Sequence, residues 1–523
     1  MSVAEATPEI EAPAHDRAFL GHPKGLGYLA FVEGCERFSY YSMQTLLVLY
    51  MVKYLLVPER MAGVLGLTWA QGALYNGLEG QPLASAIFGD YSSLVYLTPI
   101  AGGLIADRFL GRRVTLLAGA VVMAIGHFLM AFEGAFLFAL LSLIVGVGLF
   151  KGNIASQVGE LYRPDDLRRA MAFQIFYIAI NVSVIVAPLI SGTLGERVGW
   201  HYGFGAAGVV MVLGLLLYIK AGPWLPKEDR AAAAKASAAG VNYPVMLIAA
   251  ALVVIALRLL APSVSAVEAA GISGQIGLGT ALGLLAGVSA SDRPRLIALL
   301  LLIPILALTL LTNQEIFNAY LVWADGQFFR QWPSWLEGVQ VNLHWTTITF
   351  TSPFPTSYMI TIDAALSFSM LAAVALFWKW RSDRGSWEPD DIGKMILGSL
   401  FVIAGGLCLW FAATTQGSGK IGLFWPVMFH LLNSIGFAHI MPVSLALFTR
   451  IAPKAIVATV VGIYYLTFFT ANKTVGIIGG WYSTMDTPSF WLVHVATAVA
   501  GLVGFTLFKL VMGKRLGDAP AGS

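Results

Sequence analysis

Three ionisable residues stand where a membrane-spanning segment has little tolerance for bare charge. In Phe31 to Tyr50, FVEGCERFSYYSMQTLLVLY, residues Glu33, Glu36 and Arg37 interrupt an apolar run. With Tyr40 and Gln44 they fall at offsets of 0, 3, 4, 7 and 11. At about 100° per residue these offsets define one helical face. A charge at the bilayer centre costs roughly 2.5–3.5 kcal/mol on insertion scales, so three unpaired charges would cost about 9 kcal/mol. They must pair or face a wet cavity. Two readings fit: a proton or substrate relay, or a structural ion pair that locks helix packing. Intramembrane charge favours the relay.

Other apolar runs carry isolated polar groups. Lys151 sits among glycines in GVGLFKGNIASQVGELY, and whether it is charged depends on its partner. Snorkelling to the interface is the alternative to a functional role. Asn181, in FYIAINVSVIVAP, needs hydrogen-bond partners and could be helix–helix glue or a substrate contact. Glu315 and Asp363 are intramembrane carboxylates, candidates for binding a proton or an amine. His430 and His439 read as packed, hydrogen-bonded residues, since no cluster has metal-ligand spacing. Pro442 predicts a kink in a gating helix. Lys473 is either snorkelling or an outer-gate cation.

These residues need helices to position them, and the composition supplies little else. Of 523 residues, 57% are hydrophobic and 12% charged, where soluble proteins average about 25% charged. Mean hydropathy is +0.75. The chain reads as an all-α polytopic membrane protein. Basic residues lie in short loops and form no stripe, which excludes a nucleic-acid partner. Two cysteines, Cys35 and Cys408, give no disulfide framework. Neither HExxH nor GxSxG is present, so an enzyme is not expected, nor any cofactor or metal.

Apolar runs predict fourteen spans, near 27–56, 81–107, 113–132, 137–160, 170–194, 202–221, 241–260, 273–290, 295–324, 354–380, 392–414, 421–449, 455–481 and 488–512. The domains expected are a disordered tail over 1–26, a six-helix bundle over 27–222, a linker with two extra helices over 223–294, a second six-helix bundle over 295–515, and a tail over 516–523. Within the second bundle, residues 325–353 form a long loop whose VQVNLHWTTITF alternation predicts a hairpin. Alternate loops hold most of the arginine and lysine, among them Arg108, Arg112, Arg113, Arg168, Lys227, Arg293, Arg384 and Lys454. That asymmetry predicts both termini in the cytoplasm. The loop GGLIADRFLGRR brings Asp107, Arg108 and Arg112 to adjoining helix ends, where charge-assisted bonds can form.

The spacing of that loop resembles the signature loop of the major facilitator superfamily. Glu33-Gly-Cys-Glu36-Arg37-Phe38-Ser39-Tyr40-Tyr41 resembles the ExxERFxYY signature of the proton-coupled oligopeptide transporter (POT, or PTR) family within it. Phe176 to Asn181 resembles the family's FYxxIN, and Phe150 to Ile154 its FKPNI with Gly152 replacing proline. Tyr96-Leu97-Thr98-Pro99 precedes the facilitator loop as in the family, and the likeness runs from about residue 27 to 512.

The resemblance implies a major facilitator fold, two six-helix bundles plus two extra helices, and proton-driven import of di- and tripeptides by alternating access. It assigns proton coupling to Glu33, Glu36, Arg37 and Glu315. It assigns substrate contacts to Arg37, Tyr40, Tyr41, Tyr96, Lys151, Asn181 and Glu315, and conformational gating to Asp107, Arg108 and Arg112. It implies a functional monomer in a lipid bilayer, the compact loops favouring a bacterial inner membrane, and a proton gradient in place of a cofactor. Three positions depart from the family pattern. Gln44 replaces a second arginine, Phe437 replaces a glutamate that binds the peptide's amino end, and Asp363 stands where an asparagine is usual. Asp363 is expected to supply the missing anion, and Gln44 to line the site. These departures leave open another small organic solute.

Overall fold

The computed structural model describes residues 17–163, 166–226, 241–261, 264–385, 387–452 and 457–517. The loop residues Lys227 and Lys454, and most of both expected tails, lie outside them. Among the described residues there are fourteen helices of 18 residues or more. They are α1 (Lys24–Tyr50), α2 (Gly80–Ile105), α3 (Arg112–Leu129), α4 (Phe136–Glu160), α5 (Arg168–Ala187), α6 (Trp200–Ala221), α7 (Tyr243–Leu260), α8 (Ser265–Gly287), α9 (Arg293–Glu315), α10 (Tyr358–Asp383), α11 (Asp391–Thr415), α12 (Phe424–Ile451), α13 (Val457–Gly479) and α14 (Thr487–Gly517). Twelve are long and apolar enough to cross a membrane. The other two are α1, with the Glu33–Arg37 cluster, and α13, with Lys473.

Local chemistry marks several boundaries. Asn242 caps α7 by accepting from the Val245 amide at 3.3 Å, with proline in the first turn. Asp390 caps α11 through the Gly393 amide at 2.9 Å. Three boundaries differ from expectation. Described structure precedes residue 26: Phe19 and His22 form a bridge, and α1 starts directly after Pro23. Helix α8 starts at Ser265 rather than 273, its first turns being joined to the rest across a break at Gly271 (φ 61°, ψ −172°). The run 295–324 is two helices, not one: α9 ends at Glu315 and a short helix, Ala319–Gln327, follows. The expected hairpin pairs β1 (Gln340–Leu343) with β2 (Thr346–Thr349) in antiparallel register. Pro442 lies inside α12, which continues through it from Phe424 to Ile451.

With an even number of spans, the start of α1 and the end of α14 lie on one face, called here the termini face. On the opposite face the apolar core is continuous between the halves, joining Tyr50, Phe136 and Leu55 to Tyr320, Trp323 and Trp491. A separate core fills the linker and the rest of the second half, from Met246 and Leu299 to Phe448 and Phe505. Helix α2 packs closely against helices of both halves. A Cβ on Gly89 would lie 2.5 Å from the Gly476 Cα of α13, and one on Gly102 would overlap the Gly148 carbonyl of α4. Only glycine permits such backbone approach.

Candidate functional site

Helix α1 places Glu33, Glu36 and Arg37 on its inward face, all three buried. Arg37 Nε lies 3.0 Å from Glu33 Oε1 and 2.5 Å from Glu36 Oε2. The attraction is Coulombic, since neither approach has hydrogen-bond alignment. Glu33 Oε2, both Glu36 oxygens and Arg37 Nη2 are buried with no hydrogen-bond partner among the described residues. A buried charged cluster with spare donors and acceptors is costly as architecture alone. It is suited to receiving a proton or a charged ligand.

One turn further along α1, Tyr40 begins a hydrogen-bonded chain. Its hydroxyl donates to the Tyr96 hydroxyl at 3.3 Å, and Gln44 Nε2 donates to Tyr40 at 2.9 Å and to Ser92 at 3.1 Å. Arg37 sits 5.4 Å from the Tyr40 ring centroid. Lys151, from α4, points into the same group. Its ammonium lies 4.1 Å from the Tyr96 ring centroid, 5.3 Å from Tyr465 and 5.7 Å from Tyr40. Aromatic faces stabilise a cation without neutralising it. Lys151 is therefore held in the site rather than drawn to the interface. The site also touches the second half: Tyr96 stacks on Phe468 at 4.8 Å, and Tyr41 faces Phe317 at 6.4 Å.

The second-half carboxylates are handled differently. Glu315 is fully buried at the break after α9. One oxygen accepts the Ala319 amide at 3.0 Å, and the other lies 3.3 Å from His494 Nε2. Asp363 Oδ1 lies 2.8 Å from His430 Nδ1, and His430 Nε2 lies 2.7 Å from the Tyr320 hydroxyl. Asn181 is less committed: its amide donates to the Tyr177 carbonyl on its own helix at 2.8 Å.

The loop between α2 and α3 ties elements of the first half together and reaches the linker. Arg112 pairs with Asp107 at 3.3 Å and also with Glu160 of α4, while Arg108 lies 5.0 Å from the Tyr243 ring of α7. On the opposite face, polar bonds run between the halves. Lys53 pairs with Asp325 at 2.8 Å, Glu196 accepts the Thr356 and Ser357 amides at 2.7 and 2.9 Å, and Ser85 donates to Asn318 at 2.8 Å. That face is closed, with residues from both halves bonded directly.

The sequence reading gathered the first-half cluster but missed His494, Tyr465, Asn318, Glu160 and Asp90. An intramembrane Asp90 was a visible signal of the same kind as Glu315. His494 and Tyr465 carry no such signal, being apolar-helix residues until their partners are placed.

A ring of spanning helices in two halves around a buried charged site defines a membrane carrier of the major facilitator type. The chain belongs to the POT family. The family's model, described as POT family, matches residues 113–266. A peptide transporter of Yersinia enterocolitica is 30% identical over 89% of this chain and 89% of its own. A di-/tripeptide transporter of Lactococcus lactis subsp. cremoris is 27% identical over 96% and 98%. A crystal structure of a peptide transporter POT in complex with sulfate has 26% identity and a TM-score of 0.72, over 97% of this chain and 98% of that one.

Proposed function

We propose that this protein imports di- and tripeptides together with protons by alternating access. The observation that carries this reading is the buried Glu33–Glu36–Arg37 group beside Lys151, ringed by tyrosines from both halves. Two carboxylates and two cations can exchange partners. A proton on Glu33 or Glu36 frees Arg37, and Arg37 with Lys151 then holds the substrate carboxylate. Tyr40, Tyr41, Tyr96 and Gln44 shape the pocket, and Asn181 is within the family pattern of substrate contacts. Asp363 supplies the anion for the substrate ammonium. Glu315 is a second protonation site, and Asp107, Arg108, Arg112 and Pro442 belong to the moving parts. Coupling is a population shift between two states, biased jointly by proton and substrate. The linked groups titrate as a cluster.

The protein works as a monomer in the inner membrane, both termini cytoplasmic, with the proton gradient as its energy source and no cofactor. On that orientation the structure is closed on the outside. Transport rather than catalysis is its activity.

The test is uptake of an alanine dipeptide into liposomes holding the purified protein, with and without an inward proton gradient. Gradient-dependent accumulation supports symport. Dipeptide exchange that ignores the gradient keeps the substrate class and removes the coupling scheme. The replacements at Gln44 and Phe437 favour a second reading, another small organic solute. Absence of any dipeptide movement by folded protein would select it.

A further inference from the structure

The two linker helices, α7 and α8, lie outside the proposed substrate site. One contact gives α8 a place in the working parts. Lys473 of α13 pairs with Asp90 of α2 at 2.5 Å, joining the second half to the first. The Ser273 hydroxyl of α8 donates to the same Asp90 oxygen at 2.6 Å. Both charged side chains are largely buried, 13% and 20% exposed.

The path of α8 is bent to make this contact. At Gly271 the backbone takes φ 61° and ψ −172°, a conformation open essentially only to glycine. A Cβ there would lie 3.4 Å from Lys473 Nζ. Beyond the break, a Cβ on Gly277 would overlap the Phe469 ring of α13. Before it, Glu268 accepts from Asn76, near the start of α2, at 3.2 Å. Helix α8 therefore touches both partners of the pair and fixes the carboxylate that the lysine needs.

We propose that Asp90 and Lys473 are a positioning pair for alternating access, held by Ser273. Through it the linker hairpin sets how often the face opposite the termini opens. Separating the halves there breaks the pair and leaves two poorly hydrated charges, a cost the opposite state must recover. Ser273 lowers the energy of the paired state without bridging the halves itself. The inference rests on the alternating-access reading but not on the identity of the solute.

The test measures distance, without peptide or gradient. Nitroxide labels at Glu59→Cys and Lys420→Cys, with Cys35 and Cys408 replaced by serine, report separation on the opposite face by double electron–electron resonance. Asp90→Asn and Lys473→Gln should each raise the ratio of long to short separations about tenfold. Ser273→Ala should raise it by a smaller factor, about threefold. The exchange Asp90→Lys with Lys473→Asp should restore the short separation, which distinguishes loss of the pair from misfolding. An unchanged distribution in Asp90→Asn and Lys473→Gln would overturn the proposal. A silent Ser273→Ala beside a responsive Asp90→Asn would overturn the part assigned to the linker. A carrier of a different solute would give the same distances, so this outcome is separable from the dipeptide assay.

Discussion

The two halves of the molecule bury carboxylates in opposite ways. In the first half, Glu33 and Glu36 share Arg37, with Lys151 nearby, and several of their polar atoms have no hydrogen-bond partner among the described residues. In the second, Glu315 and Asp363 each have a histidine, and His430 is engaged on both ring nitrogens. An arginine is a permanent cation, so the Glu33–Glu36–Arg37 group changes charge only through its carboxylates or its ligand. A histidine can take or release a proton near neutral pH. The second-half carboxylates are held by hydrogen bonds, whereas the first-half group keeps spare donors and acceptors. On the proposed function, the first half is therefore where substrate charge is met.

The sharpest way to break this contrast is to neutralise the first-half cluster. Glu36→Gln should lower gradient-driven uptake about a hundredfold, the scale expected when a buried charge loses its partner. Dipeptide exchange should survive, and equal loss of both activities would remove the relay. Asp363→Asn should raise the KM for dipeptide about tenfold, as loss of one charged contact to the ammonium. An unchanged KM would leave Asp363 as a packing partner of His430.

His494→Gln keeps a hydrogen-bond donor beside Glu315 but removes the imidazole. Gradient-driven uptake should fall about fivefold and its pH profile should change shape, while Asn181→Ala should leave that shape alone. If His494→Gln alters rate without altering the profile, the two halves do not differ as described. Smallest of all, Lys53→Ala removes a half-exposed ion pair worth about 0–1 kcal/mol, so uptake should stay within about fivefold.

How much of this was readable in the chain follows from the range of each signal. Intramembrane charge is local and strong, so Glu33, Glu36, Arg37 and Lys151 stood out, as did the helical phase that aligns the first three with Tyr40 and Gln44. Apolar run length located the helices within a few residues. It failed where backbone geometry departs from it: at α8, whose first turns are set off by the break at Gly271, and after Glu315, where an apolar run conceals a break. The pairings Glu315–His494, Asp363–His430 and Asp90–Lys473 join residues far apart in sequence. No periodicity within one helix encodes which distant helix will face it. Lys473 shows the limit: its two readings were snorkelling and an outer-gate cation, and only the placement of α2 beside α13 supplied its carboxylate.

The glycine contact between α2 and α13 has a mechanical consequence. At Gly89 and Gly476 the two backbones touch with no side chain between them, beside the Asp90–Lys473 pair, so both contacts part together when the opposite face opens. From Gly89 to Ile105 the arm of α2 runs 16 residues, about 24 Å at helical rise. Tilting it by about 10° about its Ile105 end carries Gly89 about 4 Å, enough to part the backbones and the ion pair together. A methyl group inserted at Gly89 or Gly476 would hold that closed contact apart and favour the open state.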